Sequence, residues 1–203
     1  MNGDGSERSL HPAEHRAYRE LYAASRHLIS RWGRLISALE GSPYAEVLER
    51  GRDRVEKLVA ALPTETERYG LYGGPMALGV GARMADLRNV VTDRSVDSGM
   101  VMRLAVLDIE HVATLLGQLG ALARSRGDDE LAAFCREWES SIRPEVETTR
   151  VAAISVGDSP ELAAAPLDSS LLGRAAHGVG WVLGSVGEAI DRVSGQGRGS
   201  GDR

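Results

Sequence analysis

The residues best suited to chemistry are Asp108, Glu110 and His111, in the run Asp108-Ile109-Glu110-His111 within the most apolar long stretch of the chain, 99–126. A carboxylate three positions before an imidazole on a helix sets both on neighbouring turns, and inward-facing pairs of this kind are how helical bundles hold metal ions. Val101, Ala105, Val112, Leu115, Leu119 and Leu122 recur at 3-4 spacing, Asp108 falls on their seam and His111 lies one turn on. The pair is therefore expected to face inward. It makes half a metal site, which Glu14 of the first helix or Glu139 of the fourth would have to complete. The competing expectation is a buried polar pair, whose carboxylate accepts from the imidazole or from an arginine of a neighbouring helix, because buried charges are paired. Glu110 shares a helical row with Arg103 and Thr114 and not with Asp108, which leaves both an inward and an outward reading open.

Other reactive residue types stand alone. His15 and His27 are not spaced i to i+4 from each other, and His177 lies far along the chain in the late amphipathic stretch. Cys135 is the single cysteine, which excludes an intramolecular disulfide and a multi-cysteine metal site and reads as a small buried hydrophobe. Gly-x-Ser-x-Gly is absent. Gly73-Gly74-Pro75, with Gly79 and Gly81, lacks the Gly-Lys-Ser/Thr ending of a phosphate loop and has no strand pattern before it.

The elements that must position these groups are helices. Tyr18, Leu21, Ser25, Leu28, Trp32, Leu35 and Leu39 keep an unbroken 3-4 alternation, which predicts a first helix from Pro12 to about Glu40. Gly41-Ser42-Pro43 ends it and caps a second, with Tyr44, Leu48, Gly51, Val55, Leu58 and Leu62 inward and Pro63 as its stop. A long connection comes next, carrying a helical pattern of alternating charge. The third helix runs to about Arg126. Gly127-Asp128-Asp129 turns the chain into a fourth, about 130–156, in which Pro144 predicts a bend near 140–144. Residues 157–169 read as a linker. An amphipathic helix over 170–194 places Leu172, Ala176, Val179, Leu183, Val186, Ile190 and Val193 on one stripe. Its interior glycines each cost about 0.5–1 kcal/mol, so it needs a surface to dock on. Residues 1–11 and 195–203 read as a disordered leader and a flexible tail.

Composition agrees with an all-α chain. Of 203 residues 42% are hydrophobic but only 4% aromatic, so the core is built from Leu, Val and Ala, which suits close-packed helices. A net charge of −5 gives no electrostatic reason to expect nucleic acid. No apolar run is long enough for a membrane span, and sparse basic charge on 170–194 disfavours membrane binding. A cytoplasmic location is expected.

Two helical hairpins joined by a long crossover are the ferritin-like plan. The run IEHVATLLGQLGALARSRGDDELAAFCREWE resembles the second hairpin of a ferritin-like family of bacterial stress proteins, distantly related to rubrerythrins, and SPYAEVLERGRDRVEKLVAAL resembles its second helix. The resemblance covers about 13–156. It implies a ferritin-like four-helix bundle, a homo-oligomer, and a stress-related role, and the C-terminal amphipathic helix read from residues 170–194 is an addition to that plan. It also makes Glu110 and His111 the match to the family's Glu-His. The departures count against a working centre: Ser140-Ser141-Ile142 stands where the fourth helix should offer acidic residues, and the second helix has no Glu-x-x-His. The expected function is thus a non-catalytic bundle with a degraded metal site and no cofactor. The alternatives are an iron or manganese oxidoreductase using Asp108, Glu110, His111 and Glu14, and an adaptor that meets a protein partner through 170–194.

Overall fold

The structure, a computed structural model, describes residues 9–70 and 97–166. Four long helices carry it: α1 (Pro12–Ala38), α2 (Pro43–Glu67), α3 (Ser98–Ser125) and α4 (Asp129–Ser155), with a 3-10 turn (Val156–Asp158) and a short α5 (Pro160–Ala163) after them. The crossover pattern, the glycine run at 73–81, the 170–194 stripe with His177, and most of the leader and tail lie outside the described residues.

Each helix begins where its sequence provides a cap. His11 caps α1: its ring Nδ1 accepts from the Ala13 amide, while Glu14 reaches back to accept from the His11 amide at 2.7 Å. This is the reciprocal capping box, with histidine in place of the usual serine or threonine. Ser42, Asp97 and Asp128 cap α2, α3 and α4 through their side-chain oxygens. Gly127, at φ 73°, closes α3 in the left-handed conformation, and the Asp128 amide bonds back to the Ala123 carbonyl at 3.0 Å. An L side chain would be strained there.

The four helices pack as two antiparallel hairpins, α1 with α2 and α3 with α4, and α1 also packs on α3 while α2 packs on α4. Bonds between Glu14 and Arg126 and between Arg31 and Asp108 make α1 antiparallel to α3. Those from Arg68 to Glu130 and from Tyr69 to Asp128 make α2 antiparallel to α4. The helices on each diagonal therefore run in the same direction. Gly70 and Asp97 lie at opposite ends of the bundle, here called the capped end (Glu14, Tyr69, Arg126, Asp128) and the distal end (Leu39, Ser98, Val156).

All seven predicted inward positions of α1 are buried, from Tyr18 to Leu39. They meet Leu48, Val55, Leu58 and Leu62 of α2, Met102, Ile109, Leu116 and Leu119 of α3, and Leu131, Cys135 and Ile142 of α4 in one core. The hairpin α1–α2 closes tightly at Gly51, where an added Cβ would come 2.6 Å from the Trp32 ring.

One proline expectation is corrected. Pro63 does not stop α2, which continues to Glu67. It sits on the exposed face, and the turn beyond it is retained because Leu62 and Glu65 are buried beneath. The fourth helix runs through Pro144 without a break, and Pro144 and Ser140 are both exposed, so the carbonyl that the proline frees can meet water. The first part of the expected linker is the 3-10 turn and α5. It folds back on α3, with the Ser98 amide and hydroxyl both donating to the Ala165 carbonyl, at 3.0 and 3.1 Å.

Candidate functional site

The four candidate ligands go to four different partners. Asp108 sits at the α1–α3 contact, its side chain 16% exposed, and accepts from Arg31 Nη1 at 3.2 Å on both carboxylate oxygens and from Trp32 Nε1 at 3.3 Å. Burial pushes its carboxyl above the ordinary value, opposed by the Arg31 charge, the Trp32 hydrogen bond and the field of His27. The carboxylate is therefore matched by an arginine of the neighbouring helix, one of the two partners expected for a buried polar pair.

His111 is not inward. Its side chain is 53% exposed and its Nε2 lies 3.8 Å from Glu20 Oε1 on α1. The reason is angular. At about 100° per residue, the buried positions of α3, from Leu115 through Val101, Ala105 and Ile109 to Ala113, form an arc that Asp108 borders on its α1 side. His111, three residues on, falls about 60° further out, beyond that border. Glu110 leaves on the opposite side, toward α4, where Arg143 Nη1 donates to it at 2.7 Å and to Glu139 from Nη2 at 2.9 Å. Glu14 is 1% exposed but belongs to the capped end, where it bonds the His11 amide and Arg126. It precedes Arg31 in α1 by roughly five turns, or 25 Å of helix axis, so it cannot meet Asp108. The proposed metal set does not converge. Among the described residues no three His, Cys, Asp or Glu side chains are arranged to hold a metal ion.

The capped end gathers a polar cluster that periodicity did not single out. Glu14 and Tyr18 of α1, Glu65 of α2, Tyr69 just beyond it, and Asp128 and Cys135 of the second hairpin act on one another electrostatically. Tyr69 donates to Asp128 Oδ2 at 2.7 Å, while the other oxygen of Asp128 caps α4. Glu65 is 7% exposed, with Arg68 Nη1 3.3 Å from its Oε2. Glu14 Oε1, Tyr18 Oη and Glu65 Oε2 are buried without a hydrogen-bond partner.

Burial sets the chemistry of this cluster. It raises the Glu65 carboxyl against the pull of Arg68, raises both phenols, and pushes the Cys135 thiol up to about 12. Each of these groups is thereby biased to hold its proton. A thiol so placed is no nucleophile at neutral pH, and protonated phenols with a carboxyl of raised pKa make poor metal ligands. The cluster reads as a buried polar seam that is hydrogen-bonded only in part, through Tyr69 and Asp128 and through Glu14. A sequence signal for part of it existed: His11-Pro12-Ala13-Glu14 has capping-box spacing, and an Asp in the turn before a helix is a cap.

Two open grooves flank these features. One of about 730 Å³ lies along the outer face of α1 at the capped end, lined by Leu10, Pro12, His15, Arg16, Arg19 and Glu20 among others, with Tyr69 at its wall. The second, of about 470 Å³, lies between α3 and α4 at the distal end. No described helix is long and apolar enough to cross a membrane.

Fold and polar contacts together define a class, an all-helical bundle whose interhelix carboxylates are held by arginines, amides and a phenol. Comparison with known proteins adds nothing to that class, since no family model, no curated protein and no solved structure matches the chain.

Proposed function

We propose that this chain is a non-catalytic helical-bundle protein on the ferritin-like plan, assembling as a homo-oligomer, in which the positions of a metal centre have been given over to ion pairs between helices. The reading is supported by the helix arrangement, with two antiparallel hairpins and parallel diagonals, which is how ferritin-like chains run. The observation that carries it is Asp108. The carboxylate best placed to bind a metal at mid-bundle is taken up by Arg31 and Trp32, and the imidazole that should accompany it lies outside the core beside Glu20. The stress-related role and the homo-oligomer rest on the sequence resemblance.

Metal analysis of full-length protein purified without chelators tests the non-catalytic reading. The expected result is no stoichiometric iron or manganese, in both the wild type and Asp108→Asn. Stoichiometric metal that is lost on replacing Asp108 or His111 would overturn it in favour of a metal-dependent oxidoreductase. Light scattering tests assembly, and a monomer at all accessible concentrations would remove the homo-oligomer from the proposal.

A further inference from the structure

The exposed large apolar side chains of the described residues are unevenly distributed. Met100, Leu107, Val151, Ile154 and Leu162 are 37–63% exposed, and every one belongs to the second hairpin or to α5. Met100 and Leu107 share the outer face of α3, seven residues apart, and Val151 and Ile154 are one turn apart on α4. Between the two helices lies the distal groove of about 470 Å³, walled by Gly99, Val106, Ala153 and Ile154, with Arg103 and Arg150 at its sides. The first hairpin carries no comparable face among the described residues.

The course of the chain beyond α5 selects the occupant. Residues 163–166 are fastened at the mouth of this groove. Ala163 lines it, its carbonyl lies 3.2 Å from where a Cβ on Gly99 would be, and the Ser98–Ala165 bonds and the Asp97–Pro166 bridge hold the backbone up to Pro166. Only three residues separate Pro166 from Ser170. They reach at most about 14 Å, so the segment from Ser170 onward is delivered beside the apolar face at high effective concentration. That segment is the 170–193 stripe. Leu172, Ala176, Val179, Leu183, Val186, Ile190 and Val193 keep a strict 4-3 alternation, which as a helix gives one apolar seam. Gly173, Gly180, Gly184 and Gly187 fall together on one flank of that seam, which permits close backbone approach but disfavours the helix in isolation. An apolar groove that no described residue covers and an apolar segment that requires a surface are thus joined by a three-residue tether.

We propose that residues 170–193 dock in cis along the α3–α4 face at the distal end, with Leu172, Ala176, Val179 and Leu183 covering Met100, Leu107, Val151 and Ile154. The segment becomes a further long helix of the bundle, and the second hairpin is shielded on both faces.

The test uses the full chain in three forms: wild type, the segment variant Val179→Asp/Leu183→Asp, and the groove variant Ile154→Asp. Ile154 is 61% exposed, so its replacement leaves the core intact. Amide exchange of 170–193 in the wild type is expected to be at least about tenfold slower than in an unstructured chain. Either variant should abolish that protection while leaving α1 and α2 unchanged. In parallel, Ile154→Cys/Val179→Cys is oxidised at high dilution, with Cys135 buried and inert. An intrachain disulfide supports cis docking. Crosslinks found only between chains, with light scattering showing a dimer, assign the face to a second copy and overturn the proposal. Unprotected 170–193 in the wild type also overturns it and leaves the face to a partner protein.

Discussion

Replacing Arg31 with methionine tests the ion pair at the centre of the bundle. Arg31 and Asp108 side chains are 10% and 16% exposed and meet at 3.2 Å through a single guanidinium nitrogen shared by both carboxylate oxygens. Removing one partner of a well-buried pair costs about 3–5 kcal/mol. Here the residual exposure and the surviving Trp32 bond at 3.3 Å reduce this to about 2–3 kcal/mol for Arg31→Met, a fall in Tm of roughly 5–10 °C for a chain of this size. Asp108→Asn keeps an acceptor for Trp32 and should cost about 1–2 kcal/mol. The double variant should lose less than the sum, with a coupling of about 1–3 kcal/mol. The pH dependence has a definite sign. The folded-state carboxyl of Asp108 is raised by burial, so its contribution is most favourable below its unfolded pKa and diminishes as pH rises through the folded value. Without Arg31 that value rises further. The Arg31→Met penalty should therefore be largest near neutral pH and shrink as pH falls through the folded value. Urea denaturation of the four proteins at several pH values measures all of this. A coupling below about 0.5 kcal/mol, or a penalty independent of pH, refutes the ion pair as the reason Asp108 is where it is.

Gly51→Ala should destabilise by about 1–3 kcal/mol although alanine is the better helix former by about 1 kcal/mol, because the new Cβ meets the Trp32 ring at 2.6 Å and that ring is held by Asp108; thermal unfolding measures it, and a stabilised variant would show that the ring can yield. Asp128→Ala removes the α4 cap and the acceptor of Tyr69 together, an expected loss of about 2 kcal/mol by denaturation, against about 1 kcal/mol for Tyr69→Phe. Cys135, with its pKa pushed up to about 12, should react with iodoacetamide near neutral pH at least about a thousandfold more slowly in the folded protein than in urea; comparable rates would place the thiol in solvent.

The long helices were legible because the core repeats at their period. The seven-position seam of α1 and most inward positions of α2 and α3 required no tertiary knowledge. The site was less legible, for a geometric reason. Spacing places Asp108 and His111 on neighbouring turns, but it does not say how wide the buried arc of α3 is or which neighbour lies at its edge, and His111 falls outside that arc. Glu14 was singled out as a ligand candidate, although its spacing from His11 already described a cap. Arg31, which decides the fate of Asp108, gave no signal beyond standing next to Trp32 on the seam. Pro63 was overestimated as a stop because the penalty of an interior proline depends on whether its ring and the freed carbonyl face solvent. The Tyr18–Glu65–Cys135 cluster joins positions up to 117 residues apart (Tyr18 to Cys135), beyond the reach of any periodicity.

The antiparallel contacts at the capped end also align helix dipoles. The positive N-termini of α1 and α4 stand there beside the negative C-termini of α2 and α3. Arg126, the C-cap of α3, pairs with Glu14 in the first turn of α1, and Arg68, the C-cap of α2, pairs with Glu130 in the first turn of α4. Each pair places an acid at a positive pole and a base at a negative one, so each ion pair neutralises two macrodipoles at once. The distal end has no such pairs among the described residues and is closed by apolar contacts and the Ser98–Ala165 clip. The two ends should therefore fray under opposite conditions: added salt screens the capped end and loosens it first, whereas cooling, which weakens apolar association, loosens the distal one.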